Sequence, residues 1–284
     1  MDRSLARLPR LVIFDLDGVV YRGASAVDGA AALVAALRER GVLIRFATNN
    51  SMATRDAYVA RLVGMGIGAT VDEIVTSTSA TIDHLRAHAP EVRDVLVVGA
   101  AGMLEELRAA GLTATAASDA VGATYDGGPL SERYDAVIAG LDPAFDYRRL
   151  AAAATALRAG SRFVATNADL RYPTPDGFLP GAGSIIAALR AAGGVDPLVI
   201  GKPEPGIFLA ILEAAGVAPD RALAIGDNPD ADVVAAHRAG IGSILVLTGV
   251  ADAMTAAGLT GERRPDHVAR DPFDVAQLLG LSLR

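Results

Sequence analysis

The segment LVIFDLDG, residues 11 to 18, runs from apolar side chains straight into two carboxylates, Asp15 and Asp17, followed by Gly18. In an extended chain residues two apart point the same way, so both acids can face one cleft at a strand's end. Like charges this close repel, and drawing them out of water costs several kcal/mol unless something cationic lies beside them. Gly18 lets the backbone turn tightly or approach a ligand. An isolated DxDG is more simply read as a turn in which both aspartates bond backbone amides. Three further segments decide against that reading.

LIRFATNNS delivers Thr48, Asn49, Asn50 and Ser51; PLVIGKPEPGIF delivers Lys202; ALAIGDNPDADV delivers Asp227 and Asn228, with Asp232 one helical turn on. The inventory is acids, a hydroxyl with amides, and one lysine. A hard divalent cation resolves the charge conflict: Mg2+ prefers oxygen ligands and takes one or two carboxylates together with substrate phosphate. Asp15 and Asp227 would supply the carboxylates, with the Asp17 carbonyl and Asn228 nearby. Lys202 adds a compact positive charge, and Thr48 with the following amides offers hydrogen bonds to phosphoryl oxygens. A nucleophile, a cation and donors aimed at equatorial oxygens are what phosphoryl transfer requires.

Positioning these groups falls to short apolar runs that alternate with alanine-rich stretches of helical spacing, the pattern of an α/β protein with a mainly parallel sheet. Strands are expected over residues 11–15, 43–49, 95–99, 136–140, 162–167, 197–202, 222–227 and 243–249. Helices such as AAALVAALRERG and LEELRAAG stop on Gly41 and Gly111, as left-handed helix ends favour. Open parallel sheets bind ligands at the carboxyl ends of their strands, where all four chemistry-bearing segments fall. TNADLRYPTPDGFLPGAGS, residues 166 to 184, reads as a long loop leading into a helix, and loops of that length tend to be functional.

Composition sets bounds. The chain of 284 residues is long enough for one large or two ordinary domains, and its 51% hydrophobic content rules out disorder. A net charge of -7 argues against general affinity for nucleic acid or anionic membrane. The absence of cysteine excludes disulfides and thiolate metal sites. No apolar run reaches roughly 18 residues and the start lacks the apolar core of a signal peptide, so the expectation is a cytoplasmic protein. His84, His88, His237 and His267 are scattered; the first two, four apart, could share a helical face, but exposure explains them more cheaply. GxG-like stretches such as GAGS follow no strand in the order a dinucleotide fold requires.

FDLDGVVY, ATNNS, GKPEPGIF and GDNPDADV resemble the four ordered motifs of the haloacid dehalogenase superfamily. Within it, TNNS, GLDPAFDY and PTPDGFLPGAGS are similar to the NagD-like phosphatases, and the likeness runs from Leu11 to about Thr248. The resemblance implies a Rossmann-like core of residues 1–81 and 193–284 and an inserted α/β cap of the C2 type over residues 82–192. It implies that Asp15 attacks phosphorus to form an aspartyl phosphate and that Asp17 protonates the leaving alcohol and later activates water. Thr48, Asn49 and Asn50 would hold the phosphoryl group, Lys202 would offset charge, and Asp227 would bind Mg2+ with Asp15 and Asp17. Asn228 and Asp232 would stand behind them, Asp232 orienting Lys202 or a metal-bound water.

Substrate choice would sit in the cap, where Arg171 and Tyr172 are candidates to touch the leaving group. Asn167 and Asp169 serve either contact or loop fixing, and Asp126 and Glu132 read as a solvated face. The expected partner is a small phosphorylated metabolite; phosphoglycolate, glycerol phosphate, pyridoxal phosphate and nucleotides all stay open. The apolar cap could pair two subunits. Of the rivals, a phosphorylation receiver needs no large insert and no second acid two residues on, and a glycosidase needs neither lysine nor metal. A catalytically silent phosphate-binding regulator of the same fold is the alternative that sequence leaves standing.

Overall fold

The computed structural model describes residues 7–120, 133–174 and 177–283. Two compact units emerge from the packing, the first comprising Met1–Thr48, Arg55–Val75 and Lys202–Arg284, the second Asn49–Thr54 and Thr76–Gly201. The units divide at 75/76 and 201/202 rather than at 81/82 and 192/193. The helix Ser77–His88 and the Gly193 end of the helix Ala182–Gly193 therefore belong wholly to the second unit.

The first unit is built on a six-stranded sheet in the order His267–Ala269, Gly242–Val246, Ala222–Gly226, Leu11–Asp15, Leu43–Thr48, Ile74–Thr76. Pairing is parallel from His267–Ala269 through to Leu43–Thr48. Leu11–Phe14 and all of Ala222–Gly226 are buried, as strands covered on both faces must be. The Phe14 and Phe46 rings, 6.0 Å apart, pack on neighbouring strands. From Leu11–Asp15 the chain first goes to one side, and later returns to the other side at Ala222–Gly226. That reversal is the switch point at which open α/β sheets bind ligands.

The second unit carries a parallel five-stranded sheet in the order Leu198–Val199, Arg162–Ala165, Ala136–Ala139, Asp94–Val98, Thr113–Ala116. Its core joins Leu96, Val137, Phe163 and Leu189 with the alanine face of the helix Tyr147–Arg158. Small side chains let that helix lie close, and the Asp146 carboxylate caps it by accepting from Arg149 N at 2.9 Å. Gly41 and Gly111 follow their helices at φ +72° and +91°, the stops expected of them.

Three expectations change. The run 197–202 forms only the two-residue strand Leu198–Val199, which pairs in the second sheet, so Lys202 is not delivered by a strand of the first. The segment 166–184 is not a plain loop: Arg171–Thr174 and Gly177–Pro180 pair as an antiparallel hairpin. Short strands at Ile74–Thr76, Thr113–Ala116 and His267–Ala269 went unread. Among the described residues no helix is long and apolar enough to cross a membrane.

Candidate active site

Strand register brings the acids together. Asp15 pairs with Ala47, one residue before Thr48, and Phe14 pairs with Ile225, so Gly226 and then Asp227 follow beside Asp15. The chain next makes a π-helical turn over Pro229–Val233, entered by an Asn228 side chain that accepts from Asp230 N at 3.0 Å. Wide turns of this kind recur at functional sites. This one carries Asp232, 4% exposed, back against the strand end, where a Cβ on Gly226 would lie 2.2 Å from the Asp232 Cβ.

Lys202, 3% exposed, donates from Nζ to Asp15 Oδ1 at 2.5 Å and to Asp232 Oδ1 at 2.6 Å. Asp232 Oδ2 accepts from Asn228 N at 3.0 Å, so both carboxylate oxygens are held. Asp232, expected to orient Lys202 or a metal-bound water, pairs directly with the lysine. Oxygens of Asp15, Asp227 and Asp232 all lie within 4.8 Å of one another. Asp17 is not in that group of three.

The buried Asp227 and Asp232 and the half-buried Asp15 against one buried ammonium leave an excess of negative charge in low dielectric. Burial holds the Asp15 carboxyl well above the usual carboxylate range; Lys202 opposes this, and Asp232 and Asp227 add to it. Burial, reinforced by Asp232, likewise pushes Asp227 up to about 7. Burial alone would lower the Lys202 ammonium, but Asp15 and Asp232 override it and the group is raised. A pair of glycines encloses Asp227: a Cβ on Gly18, at φ +82°, would lie 2.3 Å from its Oδ2, and one on Gly249 would lie 1.8 Å away. The same oxygen accepts from Val250 N at 2.7 Å, while Thr248 Oγ1 donates to the Gly18 carbonyl at 2.6 Å. A hard, small divalent cation suits this donor set, since it takes carboxylate oxygens and offsets charge that the lysine alone does not. Gly249 and Thr248 were missed in the sequence; the glycine just after the Gly242–Val246 strand was the available signal.

Asp17 sits beyond the strand. Burial raises its pKa against the opposing charge of Arg61, and Tyr21 Oη donates to its Oδ2 over a long 3.4 Å. The Arg61 guanidinium stacks 3.8 Å above the Tyr21 ring, fixing the aromatic face next to the acid. Thr48 is buried at the end of its strand.

Of the remaining expected residues, Asn49, Asn50, Asn167, Asp169, Arg171, Tyr172, His84 and His88 belong to the second unit, and His237 and His267 to the first. The Asn49 amide donates to Asp169 Oδ2 at 2.9 Å, and Asn50 Oδ1 accepts from Met52 N at 2.9 Å in a tight turn. Arg171 is exposed and Tyr172 half-buried on the hairpin, with the Arg171 guanidinium 5.5 Å from the Phe178 ring. Asn167 and Asp169 bond within this unit to Asn49. His84 and His88 stack on each other with ring centroids 4.5 Å apart, and His237 Nδ1–H donates to the Glu262 carbonyl at 2.9 Å. His267 begins the sheet's outermost strand. Asp126 and Glu132 lie outside the described residues.

The sequence matches the haloacid dehalogenase-like hydrolase family over residues 12–113 and the HAD-hydrolase-like family over residues 199–274. It is 36% identical over 270 residues to the D-glycerol 3-phosphate phosphatase of Mycobacterium tuberculosis, covering 95% of this chain and 71% of that one. The fold superposes on the 4-nitrophenylphosphatase of Thermotoga maritima with a TM-score of 0.84 at 31% identity, covering 98% of each chain. It also superposes on the glycerol phosphate phosphatase of Mycobacterium tuberculosis crystallised with magnesium, with a TM-score of 0.81 at 34% identity over 94% of this chain and 76% of that one.

Proposed function

The chain belongs to the haloacid dehalogenase-like hydrolases, and from that membership and the geometry above we propose that it is a Mg2+-dependent phosphatase of small phosphate monoesters. The observation that carries this reading is the Asp15–Lys202–Asp232 ion-pair triad, with Asp227 beside it, at the switch point of the parallel sheet. The first unit is the catalytic core and the second the cap.

Asp15 is the nucleophile: a carboxylate oxygen bonds to phosphorus as the ester P–O bond breaks, giving an aspartyl phosphate. Asp17, just beyond the strand end, hands a proton to the departing alkoxide. In the second half Asp17, now ionised, takes a proton from water; the water oxygen bonds to phosphorus, and orthophosphate leaves as Asp15 is regenerated. Lys202 holds the Asp15 carboxylate oriented and offsets its charge, and Asp232 holds the lysine. Thr48, Asn49 and Asn50 take the phosphoryl oxygens, and Arg171 and Tyr172 meet the leaving group. Asp15, Asp227 and the Asp17 carbonyl would hold Mg2+, with Asn228 close by; when bound, it supplies charge neutralisation at the phosphoryl oxygens.

Glycerol phosphates head the substrate panel because of the Mycobacterium tuberculosis relative. The reading includes a cytoplasmic location and a homodimer formed through the cap, for which the exposed Leu170, Phe178 and Leu179 offer apolar surface. Light scattering of the purified protein checks the dimer. For the activity, turnover of p-nitrophenyl phosphate with Mg2+ is expected to vanish in EDTA and in Asp15→Asn with the fold intact. Metal-independent turnover, or wild-type rates in Asp15→Asn, would refute the assignment.

A further inference from the structure

The chain passes between the units at 48/49, 54/55, 75/76 and 201/202. On the second unit's side, three of these crossings converge on Asn49. Its carbonyl accepts from Ser77 Oγ at 2.7 Å, just past the 75/76 crossing, and from Asn167 Nδ2 at 2.8 Å. Its side-chain amide donates to Asp169 Oδ2 at 2.9 Å, and Asp169 N donates to Asn167 Oδ1 at 3.2 Å. At the last crossing, Gly201 N donates to the Thr166 carbonyl at 2.8 Å, and Gly201 packs so tightly that a Cβ there would lie 2.7 Å from Asn49 Oδ1.

Asn167 and Asp169, partners of Asn49, are anchored in turn. Asn167 is 4% exposed, and the Asp169 carbonyl accepts from Gly183 N at 2.8 Å at the start of the helix Ala182–Gly193. A Cβ on Gly181 would fall 2.2 Å from that carbonyl oxygen, so the close fit admits no larger residue without a shift. Asn167 and Asp169 are therefore rigidly placed, and what they hold is the residue that follows Thr48 in the chain, packed against the residue that precedes Lys202.

We propose that Asn167 and Asp169 are positioning residues for the phosphatase reaction, acting through Asn49 on the placement of Thr48 and, through Gly201, of Lys202. This rests on the phosphatase reading. It departs from a leaving-group role for Asp169, because the bonds run to the chain carrying the phosphoryl-binding groups. A fault there harms the part of the substrate that every phosphomonoester shares.

The test uses the full chain with Mg2+ and two esters, p-nitrophenyl phosphate and 2-glycerophosphate. Asp169→Ala and Asn167→Ala are each expected to lower kcat at least about tenfold, by the same factor on both esters. Asp169→Asn, which keeps an acceptor oxygen and is the safer variant for folding, is expected to recover most of the loss. Asn49→Ala combined with Asp169→Ala is expected to be no worse than Asn49→Ala alone, the signature of two residues acting through one bond. Multiplicative losses in the double variant, losses confined to one ester, or wild-type kcat throughout would overturn the proposal while leaving the phosphatase reading intact. A wild-type protein that turns over neither ester removes that reading and the proposal with it.

Discussion

Asp17 differs from Asp15 in what surrounds it. Asp15 is locked to an ammonium at 2.5 Å, which keeps one oxygen fixed and the carboxylate available as a nucleophile. At Asp17 burial outweighs the Arg61 charge, the long Tyr21 bond and the Lys202 charge, raising its pKa. Burial raises both carboxyls, so the assignment rests on the ammonium that fixes Asp15 and not on a contrast in pKa. A proton donor matters most when the leaving group is a poor one. Asp17→Asn is therefore expected to reduce kcat for an alkyl phosphate by on the order of 10²- to 10⁴-fold, and by much less for p-nitrophenyl phosphate, whose phenolate departs with little help. Equal losses on the two esters, measured side by side, would remove the general-acid role.

At the level of elements, the site depends on how closely strand-end segments approach one another. The segment after Gly242–Val246 lies so near the one after Ala222–Gly226 that Gly249 leaves no space for a side chain beside Asp227. Gly249→Ala must push the Asp227 carboxylate aside, and misplacement of a reacting group by about 1 Å costs on the order of a hundredfold in rate. A rise of at least about tenfold in the Mg2+ concentration for half-maximal activity is the expected result; an unchanged metal titration would show that Asp227 does not bind the ion. The same elements explain what sequence disclosed. Leu11–Phe14 and Ala222–Gly226 are covered on both faces, so they are continuous apolar runs, and the polar residues that follow stand out. Ile74–Thr76 and His267–Ala269 lie at the sheet's edges and span three residues each, too short for any period to register. The Arg171–Pro180 hairpin was hidden by its prolines, which mark edges and turns. The Asn49 knot joins residues 120 apart, Asn49 and Asp169, and no local pattern encodes such a contact.

Over the whole molecule, the exposed Asp135 and the buried Asp227 make stability depend on pH in two opposing ways. Asp135 accepts backbone N–H bonds from Asp94 and Arg93, which lower its pKa; its contribution is complete above the unfolded value and is lost as pH falls through the folded one. Asp227 runs the other way in the metal-free protein. Its pKa rises from 3.8 to about 7, so between those values the folded state holds a proton that the unfolded state has released, and stability falls as pH climbs. The molecule's net charge of -7 adds general repulsion of the same sign. EDTA-treated protein is accordingly expected to melt at progressively lower temperature from about pH 5 to about pH 8. Asp227→Asn, which keeps an acceptor for Val250 N, should flatten that decline and raise the Tm at the alkaline end by a few degrees, as about 1 kcal/mol does in a chain of this size. Saturating Mg2+ should lift the wild-type Tm at the same pH and leave Asp227→Asn nearly unmoved. Scanning calorimetry of the two proteins with and without the ion checks both halves at once. A wild-type Tm that Mg2+ does not change, or an Asp227→Asn variant less stable than the metal-free wild type at high pH, would mean that the carboxylate is already compensated by its protein neighbours, and the case for a cation at this strand end would fail.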